Sequence, residues 1–272
     1  VQHGGPQRDI PSFVCIAFID MVPEGFLLIH RVEFGIKIAE FTRIGKGVFL
    51  HRCIIAPGLI HYICAMTTKE DLKKVDQGLM LPLMEAFYTI QGEGFHKGTA
   101  AYFIRVGGCD VGCHWCDVKE SWDAKVHPPT DIVSIAVEAA RHSDTIVVTG
   151  GEPLMWDMQP LTDELKKRRL RIHIETSGAY PLTGNWDWFC LSPKKNKLPL
   201  QACYDRADEL KVIVYNRHDL KFAEAQADRV GGECLLFLQP EWSVREKVMP
   251  MIVDYVMAHP KWRVSLQTHK YL

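Results

Sequence analysis

Residues 100–117 read AAYFIRVGGCDVGCHWCD, an apolar stretch that leads directly into three cysteines, Cys109, Cys113 and Cys116. The apolar stretch predicts a strand, so the cysteines are expected in the loop that follows it. Three thiolates at this spacing can bind three irons of a four-iron cluster, whereas electron-transfer clusters use four cysteines. The fourth iron is then open to a small molecule, and S-adenosylmethionine, whose reductive cleavage gives a carbon radical, is the expected occupant.

Two other interpretations of the cysteines stay open on this motif alone. They would form a zinc site completed by His114, or they would be buried structural thiols. Zinc motifs usually place two ligands together and two more some distance away, and the sequence has no such second pair. The ligand count therefore favours the open iron–sulfur cluster.

Length, charge and cysteine content narrow the class of protein. The chain has 272 residues, enough for one large α/β domain or two smaller ones, and a formal net charge of -1. This balance gives no electrostatic case for nucleic acid or an anionic membrane as a partner. The apolar run Phe13–Ile19 is too short to span a bilayer. Nine cysteines without a secretory signal favour a reducing compartment, so a cytoplasmic protein is expected.

The first 65 residues differ from the rest of the chain. They are sparse in charge and rich in Ile and Phe, and they show no clear helical or alternating period. Met66 begins a polar run that is typical of a natural protein start. We expect residues 1–65 to be an N-terminal extension with little structure and no role in chemistry, and residues 66–272 to be the catalytic domain. A small accessory domain at the N-terminus is the alternative.

From Leu81 onward, apolar runs alternate with amphipathic segments. Such runs predict strands and helices in alternation, which implies a parallel sheet with its ligands at the carboxyl ends of the strands. The predicted strands are 100–106, 145–149, 171–175, 187–191, 210–215, 235–239 and 263–268. The predicted helices are one opened by 128–130 and those at 161–168, 218–228 and 244–257. The candidate motifs fall at the strand ends.

The run Thr149-Gly-Gly-Glu-Pro153 follows a valine-rich strand. Its two glycines allow the backbone to approach a ligand closely, and Glu152 can accept hydrogen bonds from an amine such as that of a bound methionine. A tight turn with a solvated glutamate is the alternative. Next to the cysteine triplet, the cofactor-binding interpretation is favoured.

Two further strand ends carry polar residues. The run Ile174–Gly178 offers a carboxylate and two hydroxyls suited to a ribose, although a turn or helix cap is an equal alternative. The run Ser192-Pro193-Lys194 places a hydroxyl and an ammonium where a carboxylate or ribose would bind. On its own, this second run is a weak signal.

Three features indicate a substrate. The run Thr89–Gly94 places two glycines around Gln91 and Glu93, which would bring backbone amides against a flat polar molecule. Arg105, on the strand before the cysteines, needs an anionic partner if it is buried, and this is either a substrate carboxylate or a structural acidic residue. His269 ends the last predicted strand and is selected by that position only.

Taken together, these motifs resemble the radical S-adenosylmethionine enzymes, and more narrowly the 7-carboxy-7-deazaguanine synthases of queuosine biosynthesis. The Cys-x3-Cys-x2-Cys and Gly-Gly-Glu-Pro motifs are typical of the superfamily. The runs typical of the narrower family are 87–94, 192–194, 238–240 and 267–272. The resemblance covers about residues 81–272. It implies an α/β fold, an abbreviated and incomplete β/α barrel with a mostly parallel sheet, and a homodimer.

The resemblance also implies the reaction and the residues that serve it. The reaction is a radical lyase conversion of 6-carboxy-5,6,7,8-tetrahydropterin to 7-carboxy-7-deazaguanine with loss of ammonia. It uses a [4Fe-4S] cluster, S-adenosylmethionine, Mg²⁺ and a reductant protein such as flavodoxin. The implied cluster ligands, in a catalytic role, are Cys109, Cys113 and Cys116. The implied cofactor-binding residues are Trp115, Gly151, Glu152, Ser192, Pro193, Lys194 and Gln239. The implied substrate-binding residues are Ile90, Gln91, Gly92, Arg105, Thr149 and His269.

Two positions depart from the family pattern. Val118 stands where the family has a serine or threonine that binds magnesium, so the Mg²⁺ site is in doubt and would depend on Asp117 or Ser121. Family chains usually continue a few residues further, and their terminal carboxylate reaches the substrate, whereas this sequence ends at Leu272. Weaker substrate binding than in a longer chain is expected, and equal Michaelis constants would contradict it.

Two rival functions remain. An activase that installs a glycyl radical on a partner protein shares the cluster and the Gly-Gly-Glu turn, but not the Gln-Gly-Glu-Gly and Thr-His-Lys runs. A non-catalytic iron–sulfur carrier or regulator would assemble a cluster without consuming S-adenosylmethionine. That function leaves Glu152 and Lys194 without a purpose.

Overall fold

The computed structural model describes residues 69–271 in full, and before them only the backbone of six short strands. Each of these strands forms an antiparallel pair with its neighbour in sequence. The pairs are β1 (Ile19–Met21) with β2 (Leu27–Ile29), β3 (Val32–Phe34) with β4 (Lys37–Ala39), and β5 (Phe41–Ile44) with β6 (Gly47–Leu50). The chain divides into two units, Val1–Met66 and Thr67–Leu272. The expectation that residues 1–65 have little structure and no chemical role lies outside the residues described in full and stays a prediction.

The second unit alternates strands and helices along most of its length. Its helices are α1 (Lys69–Asp76), α2 (Ile132–His142), α3 (Gln159–Lys167), α4 (Gln201–Arg206), α5 (His218–Ala227) and α6 (Arg245–Ala258). Its strands are β7 (Met80–Ile90), β8 (Ala100–Val106), β9 (Pro129–Asp131), β10 (Thr145–Gly150), β11 (Arg171–Thr176), β12 (Trp188–Leu191), β13 (Glu209–Val214), β14 (Leu235–Pro240) and β15 (Trp262–Val264). Within the described residues, none of the helices has the length and hydropathy needed to cross a membrane.

These nine strands form one sheet in the order β15-β14-β13-β12-β11-β10-β8-β7-β9. The pairs from β8 to β15 are parallel, whereas β7 runs antiparallel to both β8 and β9. The two end strands, β15 and β9, do not pair with each other, so the barrel is incomplete. The predicted α/β fold with a mostly parallel, unclosed β/α barrel is therefore confirmed.

The outer face of the sheet holds the main hydrophobic core. Because strand side chains alternate between faces, every second residue of each strand points toward the helices, as Ile172 and Ile174 do on β11 with no exposed surface. Burial of one such side chain stabilises the fold by about 1.5–3 kcal/mol. The strand residues of this layer are Tyr102, Ile104, Val106, Ile146, Val148, Ile172, Ile174, Phe189, Leu191, Leu210, Val212, Val214 and Leu238.

The inner face of the sheet differs from the outer face because polar and charged side chains of the strands point toward it. His173 on β11 and Glu209 and Lys211 on β13 are buried there. A small apolar cluster of Ala101, Phe103 and Val147 also lies on this side, packed by Phe87. The inside of the barrel is therefore a polar interior rather than a packed apolar one.

The loop between β7 and β8 fills part of this interior. Gln91 closes the loop with two backbone hydrogen bonds of 2.8 Å. The Gln91 N–H donates to the Thr99 carbonyl, and the Gly98 N–H donates to the Gln91 carbonyl. Gly94 has φ +63°, and a Cβ there would lie 2.0 Å from Glu209 Oε1. Only glycine permits this conformation and this approach.

Three sequence predictions of secondary structure need correction. Residues 128–130 do not open α2. Instead, Pro129 lies in β9 at the sheet edge, where its missing N–H costs no ladder bond. Helix α2 begins after Asp131, whose side chain accepts a hydrogen bond from the Ser134 N–H. Strand β9 itself is not among the predicted strands. The closing strand ends at Val264, before the predicted 268.

Candidate functional site

A pocket of about 470 Å³ opens at the carboxyl ends of the parallel strands. It is lined by residues from the cysteine loop, the Gly-Gly-Glu turn, the β7–β8 loop and the ends of β11 to β14. The predicted site residues that line it are Cys109, Cys113, Cys116, Trp115, Gly151, Glu152, Ser192, Lys194, Gln239, Ile90, Gln91, Gly92, Arg105, Thr149 and His269. Of the predicted set, Pro193 does not line it.

All three cysteines of the triplet are free and partly buried on one wall of the pocket. Burial raises the pKa of the Cys109 and Cys113 thiols. Among residues 69–271, no three His, Cys, Asp or Glu side chains converge on a single metal ion. In a four-iron cluster, each of the three thiolates would bind a different iron. Soft thiol donors on one loop therefore fit an iron–sulfur cluster.

The cysteine loop and the Gly-Gly-Glu turn are held directly against each other. The Glu152 N–H donates to the Gly108 carbonyl at 2.8 Å. A Cβ on Gly151 would lie 2.2 Å from that same carbonyl oxygen. Gly151 is therefore required for the close approach of the two loops, in addition to any contact it makes with a ligand.

The side chain of Glu152 is engaged by protein groups. It is 1% exposed, and its carboxylate accepts hydrogen bonds from the Leu154 N–H (3.0 Å), from the Thr176 hydroxyl (2.5 Å), and from the Ser177 N–H (2.8 Å) and hydroxyl (2.5 Å). These contacts tie the turn to the end of β11. The expected contact with a methionine amine stays a prediction.

Lys194 and Trp115 line the pocket beside the cysteines. The Lys194 ammonium donates to the Ser192 hydroxyl at 2.7 Å and lies 5.8 Å from the centre of the Trp115 ring. Burial lowers the pKa of Lys194. Gln239, at the end of β14, accepts a hydrogen bond from the Ser265 hydroxyl at 2.7 Å. Gln239 and Ser265 also contact the β7–β8 loop, because the Ser265 hydroxyl accepts a hydrogen bond from the Gly94 N–H at 3.0 Å.

Arg105 has a protein partner as well as a place in the pocket. Its Nε donates to Glu85 Oε1 at 2.6 Å, and its side chain is 19% exposed. Glu85 is the structural acidic residue that the sequence left as an alternative. Arg105 also lines the pocket and pairs with Thr149 on the neighbouring strand, so both alternatives for Arg105 have a geometric basis.

The C-terminal segment closes the other side of the pocket. The Thr268 N–H and hydroxyl both donate to the Gly92 carbonyl at 2.9 Å. This places His269 against the β7–β8 loop, next to Gly92. Gln91, on the same loop, donates from Nε2 to Glu175 Oε1 at 2.8 Å.

The pocket floor contains a buried charge cluster that sequence reasoning missed. Lys211, 3% exposed, lies 2.5 Å from Glu93 Oε2 and 3.6 Å from Glu175 Oε1. Gln267 Nε2 donates to Glu93 Oε1 at 2.9 Å. The signal for this cluster was a single lysine inside the apolar strand β13, where an uncompensated charge is too costly to be buried.

The partners of this cluster control its pKa values. Burial alone would raise the pKa of Glu93, but the Lys211 ammonium and hydrogen bonds from Gln267 and Gln239 lower it to about 2. Burial alone would lower the pKa of Lys211, but the surrounding acidic groups raise it well above its ordinary value. Burial raises the pKa of Glu209, which lies below the pair. Glu93 and Lys211 therefore form an ion pair at neutral pH.

The region expected to hold magnesium has its polar side chains turned to protein partners. Val118 lines the pocket and offers no side-chain oxygen. The Asp117 carboxylate accepts from the Lys270 ammonium at 2.9 Å. The Ser121 hydroxyl donates to the Val118 carbonyl at 2.6 Å. The side chains in this region therefore do not form a preformed Mg²⁺ site. Such a site would need at least one carboxylate without a protein partner, together with oxygen ligands from substrate and water.

Comparisons with known proteins identify similar sequences and a similar structure. The model of the radical SAM superfamily matches residues 103–189. A 7-carboxy-7-deazaguanine synthase of Flavobacterium psychrophilum is 68% identical over 207 residues, which cover 76% of this chain and 99% of that protein. One from Synechocystis is 49% identical over 192 residues, 70% of this chain and 92% of that protein. A crystal structure of QueE from Escherichia coli superimposes with a TM-score of 0.63 at 30% identity, covering 74% of this chain and 100% of that chain.

Proposed function

This chain belongs to the 7-carboxy-7-deazaguanine synthase family of radical SAM enzymes, and from that membership we propose how its pocket performs the reaction. The protein is a radical SAM lyase that forms 7-carboxy-7-deazaguanine. The observation that carries the residue assignments is that one cavity collects the cysteine triplet, the Gly-Gly-Glu turn, Arg105 and the β7–β8 loop.

The cluster and S-adenosylmethionine belong on the wall formed by the cysteine loop. Cys109, Cys113 and Cys116 would hold the [4Fe-4S] cluster, which supplies the electron that generates a 5′-deoxyadenosyl radical from the cofactor when both are bound. The residues proposed to bind S-adenosylmethionine are Trp115, Gly151, Ser192, Pro193, Lys194 and Gln239. Glu152 supports that site by fixing the turn, and Pro193 acts by setting the backbone between its two neighbours.

The substrate belongs on the opposite side, against the β7–β8 loop. We assign 6-carboxy-5,6,7,8-tetrahydropterin to this region, with the terminal nitrogens of Arg105 facing its carboxylate, because a guanidinium binds carboxylates in a two-pronged geometry. Glu85 holds Nε and thereby fixes the plane of the guanidinium. The other proposed contacts are Ile90, Gln91, Gly92, Thr149 and His269. Hydrogen abstraction needs no acid or base, so these residues act by positioning carbon atoms and excluding water.

Three further properties are proposed from the family and from the sequence. The chain forms a homodimer, receives its electron from a protein such as flavodoxin, and works in the cytoplasm. Mg²⁺ is proposed to have a reduced role, because Val118 supplies no ligand and Asp117 is paired with Lys270. Any Mg²⁺ that binds would rely on substrate oxygens and water.

Anaerobic turnover tests the assignment. The reconstituted protein is given dithionite, S-adenosylmethionine and the tetrahydropterin, and products are identified by mass spectrometry. We expect 7-carboxy-7-deazaguanine. Formation of 5′-deoxyadenosine without this product would reject the substrate, and an intact cluster without any cofactor cleavage would favour a carrier or regulator.

The Arg105 assignment is tested by Arg105→Ala. We expect the KM for the tetrahydropterin to rise by about tenfold or more, since a hydrogen bond to a charged group contributes about 1.5–3 kcal/mol, while the iron content stays that of the parent protein. Arg141→Ala, at an exposed position on α2, is the matched control. An unchanged KM in Arg105→Ala would show that Arg105 serves Glu85 alone.

A further inference from the structure

The polar interior of the barrel contains two further cavities beneath the active site, and neighbouring cavities share lining residues. A middle cavity shares Gln91, Glu93 and Glu175 with the floor of the active-site pocket. It shares His96, His173 and Trp188 with a lower cavity of about 280 Å³. The lower cavity is lined by residues at the amino-terminal ends of the strands, including Thr99, Thr145, Arg171 and Asp187. The three cavities therefore follow the barrel from one end to the other.

The middle cavity has the size and lining of a site for one water molecule. Its volume is about 10 Å³, which is close to the smallest space that holds a single water. Its lining is about half polar and includes Glu93, Glu175 and Glu209. A buried water needs two to four polar partners, and this lining supplies them.

His96 gives an independent reason to place a ligand in this cavity. Its Nε2 is buried and is the single side-chain nitrogen or oxygen within residues 69–271 that is buried without a hydrogen-bond partner. Buried polar atoms are nearly always paired, so an unpaired one indicates a missing partner such as water. The ring is otherwise fixed by contact with Trp188, at 4.6 Å between ring centres.

His173 continues the connection toward the lower cavity. Its ring lies 4.4 Å from that of His96, centre to centre. Burial, together with His96, lowers the pKa of His173 to about 4, and burial also lowers the pKa of His96. Both rings are therefore neutral at pH 7. A neutral imidazole can accept a proton at one nitrogen and release one from the other.

We propose that one water in the middle cavity bridges His96 Nε2 to the carboxylates above it, and that this water, His96 and His173 conduct protons between the lower cavity and the active-site floor. The charged groups that face this path are Arg171, Asp187 and Asp208 at its lower end, and Glu175, Glu209, Glu93 and Lys211 at its upper end. Lys211 lies nearer to Glu93 (2.5 Å) than to Glu175 (3.6 Å), and Glu175 lines both the middle cavity and the active-site pocket, so the path is assigned to end at Glu175.

The path has a use in the proposed reaction, and this use rests on the proposed function. Ammonia that leaves as ammonium takes up one proton. The substrate is assigned to the pocket above this floor, and the proton is drawn from below. It passes from solvent at the lower cavity through His173, His96 and the water to a carboxyl group at the floor, and then to the leaving nitrogen. Only the proton moves along this path, and no electron is transferred.

His96→Phe tests the proton path, because phenylalanine keeps the aromatic contacts and removes both ring nitrogens. We expect product formation to slow by at least about tenfold, the scale of positioned proton transfer, with an unchanged KM and unchanged formation of 5′-deoxyadenosine in a single turnover. His218→Phe, at an exposed position of α5, is the matched control. A product rate within about twofold of the parent enzyme, or an equal loss of product and 5′-deoxyadenosine, would overturn the proposal.

The water is tested separately, on the unaltered protein. A high-resolution crystal structure of the cluster-loaded enzyme is expected to show one water within hydrogen-bond distance of His96 Nε2, and an empty middle cavity would overturn the proposal. This result does not depend on whether His96→Phe folds. It also does not depend on the substrate: failure of the parent enzyme to form 7-carboxy-7-deazaguanine would reject the assigned reaction and leave the water in place.

Discussion

Glu152→Gln distinguishes a glutamate that binds the cofactor amine from one that holds two loops together. In the structure each carboxylate oxygen accepts two hydrogen bonds. Oε1 accepts from the Leu154 N–H and the Thr176 hydroxyl, and Oε2 accepts from the N–H and hydroxyl of Ser177. The hydroxyls can rotate and become acceptors, but the two backbone N–H groups cannot.

A glutamine cannot satisfy this arrangement in either orientation of its amide. Its NH₂ group must face the backbone N–H of Leu154 or that of Ser177, both of which are buried. One buried N–H then lacks an acceptor, which costs about 1–3 kcal/mol, and a hydrogen bond to a charged acceptor is lost, which costs about 1.5–3 kcal/mol. We expect a total loss of about 3 kcal/mol in the free energy of unfolding. For a domain of this size it lowers Tm by about 6–12 °C.

The assay is thermal unfolding of the cluster-free protein, followed by circular dichroism, so that no cofactor contact contributes. Glu233→Gln, the same chemical change at an exposed loop position, is the control and is expected to change stability by no more than about 0.5 kcal/mol. If Glu152→Gln leaves Tm unchanged in the absence of cofactor but weakens S-adenosylmethionine binding, the four hydrogen bonds do not stabilise the fold and the reasoning is refuted.

Three more predictions follow from the polar interior and the cysteine loop. Lys211→Met leaves the Glu93 carboxylate buried without its cation, so we expect the free energy of unfolding in urea to fall by about 3–5 kcal/mol. The control, Lys221→Met at an exposed position, should have little effect. Equal losses of stability in the two variants would show that the Glu93–Lys211 pair does not stabilise the fold. Folding lowers the pKa of His173 from 6.5 to about 4. Between these pH values the unfolded chain binds more protons than the folded chain, so stability is expected to fall as pH drops from 6.5 to about 4. His173→Gln should flatten that slope in urea titrations at a series of pH values, and an unchanged slope would assign it to other groups. Val118→Ser restores a hydroxyl beside the cysteines, so its product formation should gain more from added Mg²⁺ than that of the parent enzyme, and equal responses would mean that position 118 does not affect the metal.

The sequence was most informative where the signal is local. The cysteine triplet and the Gly-Gly-Glu turn each occupy a few consecutive residues, and both lie in loops after strands, on the pocket as expected. The alternation of strands and helices likewise follows from periodicity within each segment. This was sufficient to predict the parallel part of the sheet, whereas the unclosed barrel was expected from the family resemblance.

The sequence was least informative where partners are far apart in the chain. Strand β7 was not predicted, because its antiparallel pairing with β8 and β9 is a tertiary contact. The Glu93–Lys211 pair joins residues 118 positions apart. The hydrogen-bond partners of Glu152 include Thr176 and Ser177, at the end of the next strand. The sequence therefore did not reveal that protein groups bind the Glu152 carboxylate.

From sequence alone we predict which residues bind a cluster and a cofactor, and that they follow strands of a parallel sheet. This prediction is possible because a ligand loop and a strand each consist of consecutive residues. Only the tertiary structure decided what lies beneath the site, because inward-facing side chains such as Glu175, Lys211 and His173 belong to different strands. These side chains meet only because the sheet curves. The curvature sets the hydrogen bonds between them and the cavities that they line.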